Sequence, residues 1–133
     1  MKVADLMQDD VTAVRPDATV ADVIASLADA HVSAVPVVDT HGHVLGVVSS
    51  SDVLTEEAEA RDGTARSVLL EATQARDIMT RQPLTIDPDA DVRDAARQML
   101  YAEVHRLFVV SGNRLAGVIS TTDIVRAVAT GRL

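Results

Sequence analysis

The sequence predicts an α/β (α+β) protein made of two β-α-β-β-α repeats packed sheet to sheet about a pseudo-twofold axis. Three observations lead there: the chain repeats itself, each copy carries helical apolar spacing followed by two short β-rich runs, and one copy alone is too small for a substantial core. Displacing the sequence on itself by about 72 residues lays Asp5-Leu6-Met7 on Asp77-Ile78-Met79. It also lays Val14-Arg15-Pro16-Asp17-Ala18-Thr19-Val20 on Ile86-Asp87-Pro88-Asp89-Ala90-Asp91-Val92, and Val37-Val38 on Val109-Val110. After one residue is lost in a turn, Gly46-Val47-Val48-Ser49-Ser50-Ser51-Asp52 falls on Gly117-Val118-Ile119-Ser120-Thr121-Thr122-Asp123. The matches run through the whole unit, which low complexity does not produce. A copy of about 50 residues is marginal by itself. Two copies, 1–60 and 75–133 with a linker at 61–74, are expected to form one module with a cleft at their seam, an ordinary place for a small ligand.

Each element has a local reason. Pro16 and Pro88 stand in turns ahead of a helix, and Thr19 and Asp91 are good N-caps. Val20, Val23, Ile24 and Leu27 follow i, i+3, i+4, i+7 spacing, as do Val92, Ala95, Ala96, Met99 and Leu100. The runs Val35–Val38 and Leu107–Val110 are each followed by a turn and a second run, Val44–Val48 and Leu115–Ile119, which predicts two hairpins. A second helix starts near Ser51 and near Thr122. Asp62-Gly63 breaks the first of these, and Ser67–Glu71 resumes a helix. The acidic run Glu56-Glu57-Ala58-Glu59 reads as a solvated helix face. Met7 and Met79 read as core fillers, Tyr101 as a half-buried packing residue, and Lys2 and Arg126 as surface residues.

Composition narrows the function. Twelve Lys and Arg against 20 Asp and Glu leave a formal charge of −8, so there is no surplus for a broad nucleic-acid face. Tyr101 and Phe108 are the only aromatics besides His, too few for a base-stacking platform. The apolar fraction of 47% is ample for a packed core. With no Cys there are no disulfides, thiol nucleophiles or Cys-ligated zinc. The first residues lack the apolar stretch of a signal peptide and no run approaches the ~20 residues of a spanning helix, so a cytoplasmic protein is expected. There is no Gly-x-Ser-x-Gly elbow, no Gly-x-x-x-x-Gly-Lys-Ser/Thr loop and no Gly-x-Gly-x-x-Gly turn, so catalysis is not expected. His41-Gly42-His43 reads as a hairpin turn rather than a metal site, because no third ligand is near in sequence.

The chemistry concentrates where a strand meets a helix, at Gly46–Asp52 and Gly117–Asp123. Ser49-x-x-Asp52 and Ser120-x-x-Asp123 have the spacing of a capping box, with Asp where Glu or Gln is usual. The same geometry suits a ligand. Hydroxyls and free N–H groups at a helix start hold phosphate, and a carboxylate accepts both hydroxyls of a ribose. Both readings stand together.

The tandem repeat, the Met7 and Met79 segments, the Pro-Asp-x-x-Val stretches and the Gly-h-h-Ser-x-x-Asp exits (h, apolar) resemble a pair of cystathionine β-synthase (CBS) domains, a Bateman module, over Val3 to about Val128. The resemblance implies a regulatory, non-catalytic module that binds adenosine derivatives (AMP, ADP, ATP or S-adenosylmethionine) in clefts between the repeats and transmits occupancy to an effector protein, commonly as a homodimer. It places riboses on Asp52 and Asp123, and ribose or phosphate near Ser49, Ser51, Ser120 and Thr122. Adenine would meet the backbone of Thr12-Ala13-Val14 and of Leu84-Thr85-Ile86. His105-Arg106 resembles the basic pair that meets phosphate in AMP-sensing kinase subunits, where the first copy has the uncharged Ser33-Ala34. By itself Arg106 reads more readily as a surface residue at a strand start, and the resemblance makes the two readings even. Phe108 departs from the family pattern and would either crowd or line an adenine pocket. The alternative function is a ligand-independent dimerisation or protein-interaction module, in which the acidic run and Phe108 would matter more.

Overall fold

A computed structural model describes residues 1–133. It forms two compact units, each with one three-stranded sheet and its own helices. Their boundaries differ from those of the sequence repeats. One unit is continuous, Thr12–Pro83, and the other is split, Met1–Val11 with Leu84–Leu133.

The split unit begins with α1 (Val3–Leu6). The continuous unit then contributes α2 (Val20–Ala30), β1 (Ala34–Val38), β2 (Val44–Ser49), α3 (Ser50–Glu59), α4 (Gly63–Glu71), α5 (Ala75–Ile78) and β3 (Thr80–Arg81). The split unit resumes with β4 (Thr85–Ile86), α6 (Val92–Ala102), β5 (Arg106–Ser111), β6 (Arg114–Ser120) and α7 (Thr121–Ala129).

In the continuous unit α2 starts at a reciprocal cap: Thr19 Oγ1 accepts from Asp22 N at 3.1 Å, and Asp22 Oδ2 accepts from Thr19 N at 3.3 Å. The helix buries Val20, Val23 and Leu27 but leaves Ile24 exposed, so its apolar stripe is narrower than the spacing suggests. The expected hairpin is present as antiparallel β1 and β2, with a register irregularity between Val37 and Val38. Its turn is ordered by Asp39, whose Oδ1 accepts from the N–H groups of His41 and His43 at 2.8 and 3.0 Å. The His43 N–H chiefly holds the Asp39 carboxyl below its usual range, against a smaller opposing effect of desolvation. The first strand expected in this repeat is reduced to a single parallel bridge of Val14 with Val37. Residues 61–74, expected as a linker, carry α4, which buries Leu69, and Thr73 O accepts from Val20 N at 3.0 Å. Val14, Val23, Leu27, Val35, Val37, Val48 and Ala75 make the core.

The split unit has the same plan. β4 lies parallel to β5, and β5 and β6 form the antiparallel hairpin. Asp91 caps α6 by accepting from Arg93 N at 2.8 Å. Val3, Leu6, Val92, Ala95, Met99, Leu107, Val109, Ile119 and Ala127 pack together. Two expectations for α6 are corrected. Leu100 is 79% exposed and Tyr101, expected half-buried, is 94% exposed, because the buried face is the Val92, Ala95, Met99 stripe. Phe108 is 6% exposed in the middle strand, opposite Thr85 and Val118, so it offers no surface for a partner.

The repeat shows most directly in matched hydrogen bonds. Ala75 N donates to Ala18 O, Arg76 N to Pro16 O, and Val20 N to Thr73 O. The counterparts are Val3 N to Ala90 O, Ala4 N to Pro88 O, and Val92 N to Met1 O. Each Met segment therefore docks on the body formed by the other copy. It lies against the glycine of the hairpin's second strand. A Cβ on Gly46 would stand 2.7 Å from Thr80 O and 2.8 Å from Met79 Sδ; one on Gly117 would stand 2.6 Å from Gln8 O and 3.0 Å from Met7 Sδ. The close approach that these glycines allow is thus to the chain itself. Met7 and Met79 are half-buried against the two cores.

Two stability outcomes follow from these contacts. Gly46→Ala and Gly117→Ala should each cost about 1–3 kcal/mol in urea unfolding, since the added methyl meets backbone oxygen. Gly63→Ala, with open space around it, should not be destabilising; a loss below about 0.5 kcal/mol at both crowded sites would mean that the Met segments move aside freely. Helices α2 and α6 both end on a non-glycine in the left-handed region, His31 at φ 54° and Glu103 at φ 58°. Glu103→Gly should raise stability by about 0.5–1 kcal/mol in the same assay, and a decrease would contradict the strain argument.

Candidate functional site

The two Ser-x-x-Asp segments form the same corner, once in each unit. In the continuous unit, Ser49 ends β2 and caps α3. Its N–H and Oγ–H both donate to Asp52 Oδ2, at 2.8 and 2.9 Å, and Asp52 N donates back to Ser49 Oγ at 3.1 Å. In the split unit, Ser120 caps α7 in the same way: its N–H and Oγ–H reach Asp123 Oδ2 at 2.8 and 3.0 Å, and Asp123 N reaches Ser120 Oγ at 3.2 Å. The capping reading is therefore realised in both copies, with Asp closing the box. The cap uses one carboxylate oxygen and leaves Oδ1 for something else. An ionised carboxylate has about four acceptor positions, so cap and ligand need not compete.

The corners differ in what reaches Oδ1. Asp52 is half-buried, and its Oδ1 accepts no hydrogen bond from the protein. Asp123 is buried, 8% exposed. Gln8 Nε2 donates to its Oδ1 at 3.0 Å, and Arg126 Nη1 stands 3.9 Å from the same oxygen. Arg126, expected as a plain surface residue, is exposed but leans on this carboxylate. Gln8 was not legible as a functional residue. The available signal was the residue difference at matched positions, Gln8 against Thr80 and Arg126 against Thr55.

The remaining expected residues fall as follows. Ser51 and Thr122 are exposed in the first turns of α3 and α7; the N–H groups before and after each are taken, Ser50 by Ser33 O and Asp52 by Ser49 Oγ, Thr121 by His105 O and Asp123 by Ser120 Oγ, so each turn leaves one N–H and the helix dipole to favour an anion. Val14 is tied into the continuous unit by Val14 N to Pro36 O at 3.0 Å and Val38 N to Val14 O at 2.9 Å, while Thr12 and Ala13 are exposed. Thr85 and Ile86 form β4 in the split unit, half-buried beside Phe108 and Val109. The Thr12–Val14 stretch is thus carried in the unit that holds Ser49 and Asp52, and Thr85-Ile86 in the unit that holds Ser120 and Asp123.

His105 and Arg106 stand at the start of α7's corner. His105 O accepts from Thr121 N at 2.9 Å, and Arg106 lies directly across from Ser120. Arg106 is half-buried and has no carboxylate within ion-pair distance. The matched place in the continuous unit holds Ser33, whose O accepts from Ser50 N at 2.8 Å, and Ala34, across from Ser49. The backbone frames match, and only one carries positive charge. Nowhere do three His, Asp or Glu side chains converge as metal ligands. No helix is long and apolar enough to cross a membrane.

Comparison with known proteins agrees with this geometry. The family model of the CBS domain matches residues 3–59 and 75–130. The chain is 31% identical over 127 residues to a homoserine O-acetyltransferase of Methanococcoides burtonii, covering 95% of this chain but 24% of that protein. It is 28% identical over 141 residues to the chloroplastic CBS domain-containing protein CBSX1 of Arabidopsis thaliana, covering 90% of this chain and 60% of that one. The chain thus spans less than two thirds of these curated relatives. Among solved structures, CBSX2 in complex with AMP superposes with a TM-score of 0.83 at 28% identity, covering 99% of this chain and 98% of that one. A fold of two sheets bearing matched Ser-x-x-Asp corners, and two family matches in tandem, make one conclusion plain: the chain belongs to the CBS domain family, as a pair of CBS repeats.

Proposed function

We propose that this chain is a regulatory, non-catalytic module that binds an adenosine derivative at its strand-to-helix corners and passes occupancy to an effector protein. One observation carries the reading. Asp52 is held rigidly by Ser49 through Oδ2 at a helix start, with Oδ1 unused, which is the acceptor a ribose diol needs. In this reading Asp52 and Asp123 take ribose hydroxyls. Ser49, Ser51, Ser120 and Thr122 stand near ribose or phosphate, with the helix N-termini supplying N–H donors. The backbone of Thr12, Ala13 and Val14, and of Thr85 and Ile86, meets adenine. His105 and Arg106 add charge for a phosphate at the Asp123 corner only. The AMP complex of the 28% identical CBSX2 supports AMP as the first ligand to try, ahead of ADP, ATP and S-adenosylmethionine.

The reading includes a cytoplasmic location and a homodimer. The dimer is supported by apolar side chains left uncovered on the neighbouring helices α6 and α7: Leu100, Tyr101, Val125 and Val128.

The deciding experiment is calorimetric titration with AMP. Asp52→Asn keeps an oxygen for the Ser49 cap but removes the charge, and should weaken binding about tenfold or more. Arg106→Ala should weaken AMP and leave adenosine nearly unchanged. Parent protein that binds no adenosine compound, with no shift in thermal unfolding where saturation at 100 times Kd should add about 2.7 kcal/mol, would favour the interaction-module reading. For the dimer, Leu100→Asp with Val128→Asp should turn a dimer into a monomer in sedimentation equilibrium. An unchanged mass would place the interface elsewhere.

A further inference from the structure

The two corners share one frame, yet one carboxylate is already engaged. Gln8 and Thr80 occupy equivalent places. Each lies beside the hairpin's second strand, Gln8 bridged to Val118 and Thr80 paired with Val47, and each presents its carbonyl to the matched glycine. Thr80 leaves Asp52 Oδ1 without a partner. Gln8 extends its amide to Asp123 Oδ1 at 3.0 Å. With Oδ2 taken by Ser120, the two hydroxyls of a ribose need both acceptor positions of Oδ1, and the Gln8 N–H occupies one of them; the acceptor is a buried carboxylate that is costly to leave unpaired.

We propose that Gln8 is a displaceable stand-in for the ribose at the Asp123 corner, so that the two nucleoside sites are intrinsically unequal: the Asp52 corner is open, and the Asp123 corner fills only when ligand expels the Gln8 amide. This rests on the reading of both corners as nucleoside sites. It makes Gln8 a specificity-determining residue that lowers affinity at one corner without altering the cap beneath it, because Ser120 binds Oδ2 and Gln8 binds Oδ1. The two carboxylate oxygens divide the work. Gln8 is also anchored by backbone, through Gln8 N to Val118 O and Val118 N to Gln8 O, both at 2.8 Å. Its side chain can therefore leave Asp123 while the segment stays docked.

The test is AMP titration of the full chain in an Asp52→Ala background, which isolates the Asp123 corner. Adding Gln8→Thr, the residue of the matched position, should tighten that binding about three- to tenfold, the net worth of one hydrogen bond. Unchanged or weaker binding would overturn the proposal and make Gln8 a support of Asp123. A second readout needs no substitution at Gln8: the Gln8 side-chain NH2 resonances of Asp52→Ala should move toward solvent-exposed values at AMP saturation, and resonances that stay put would overturn displacement. Parent, Asp52→Ala and Gln8→Thr all silent to AMP would instead overturn nucleoside binding itself, and this proposal with it. AMP bound by the parent but no tighter with Gln8→Thr overturns only the stand-in.

Discussion

The approach of each Met segment to a strand glycine organises both units. At Gly46 and Gly117 there is no room for a side chain, because the carbonyls of Thr80 and Gln8 already lie where a Cβ would be. That contact holds the docked segment at a fixed height over the sheet, and three matched backbone hydrogen bonds hold its other end beside the start of α2 or α6. The residue after each Met is thereby delivered to the edge of the Ser-x-x-Asp corner. Position 8 comes within hydrogen-bond reach of Asp123 for this reason, although 115 residues separate the two.

Each corner joins a helix cap, Ser49 or Ser120, to a carboxylate three residues on, and the two hold each other in place. An N-cap hydrogen bond is worth about 1 kcal/mol to a helix, and here it also fixes the carboxylate's rotamer. In the proposed role, preorganisation of this kind matters. Occupancy shifts an equilibrium only by the difference in ligand affinity between two states, so a floppy acceptor would waste binding energy on ordering itself. A rigid corner loses little on binding.

The asymmetry between corners has a simple electrostatic and steric content. The continuous unit offers an open carboxylate oxygen and no charged neighbour at Ser33-Ala34. The split unit offers Arg106 without an ion-pair partner, and a carboxylate oxygen shared with Gln8 and approached by Arg126. One frame thus presents two chemically different corners, set apart by side chains that leave the backbone hydrogen bonds intact.

Local chemistry was legible in the amino-acid sequence. Thr19, Asp91, Ser49 and Ser120 announce helix starts through interactions that span two or three residues, and the two hairpins announce themselves through β-rich runs around short turns. The repeat itself, and the resemblance built on it, came from order and spacing alone. Tertiary structure decided what depends on distant chain. Ile24 and Leu100 satisfy helical apolar spacing yet lie outside the buried stripe, since burial is set by the face that meets the sheet and not by periodicity. Residues 61–74 join the continuous unit because Leu69 and Thr73 find partners there. Above all, each Met segment packs on the other copy's body, an exchange that identical local motifs permit equally in either direction. Which copy a segment joins is a matter of chain path, and only the folded chain shows that Gln8 meets Asp123 while Thr80 leaves Asp52 open.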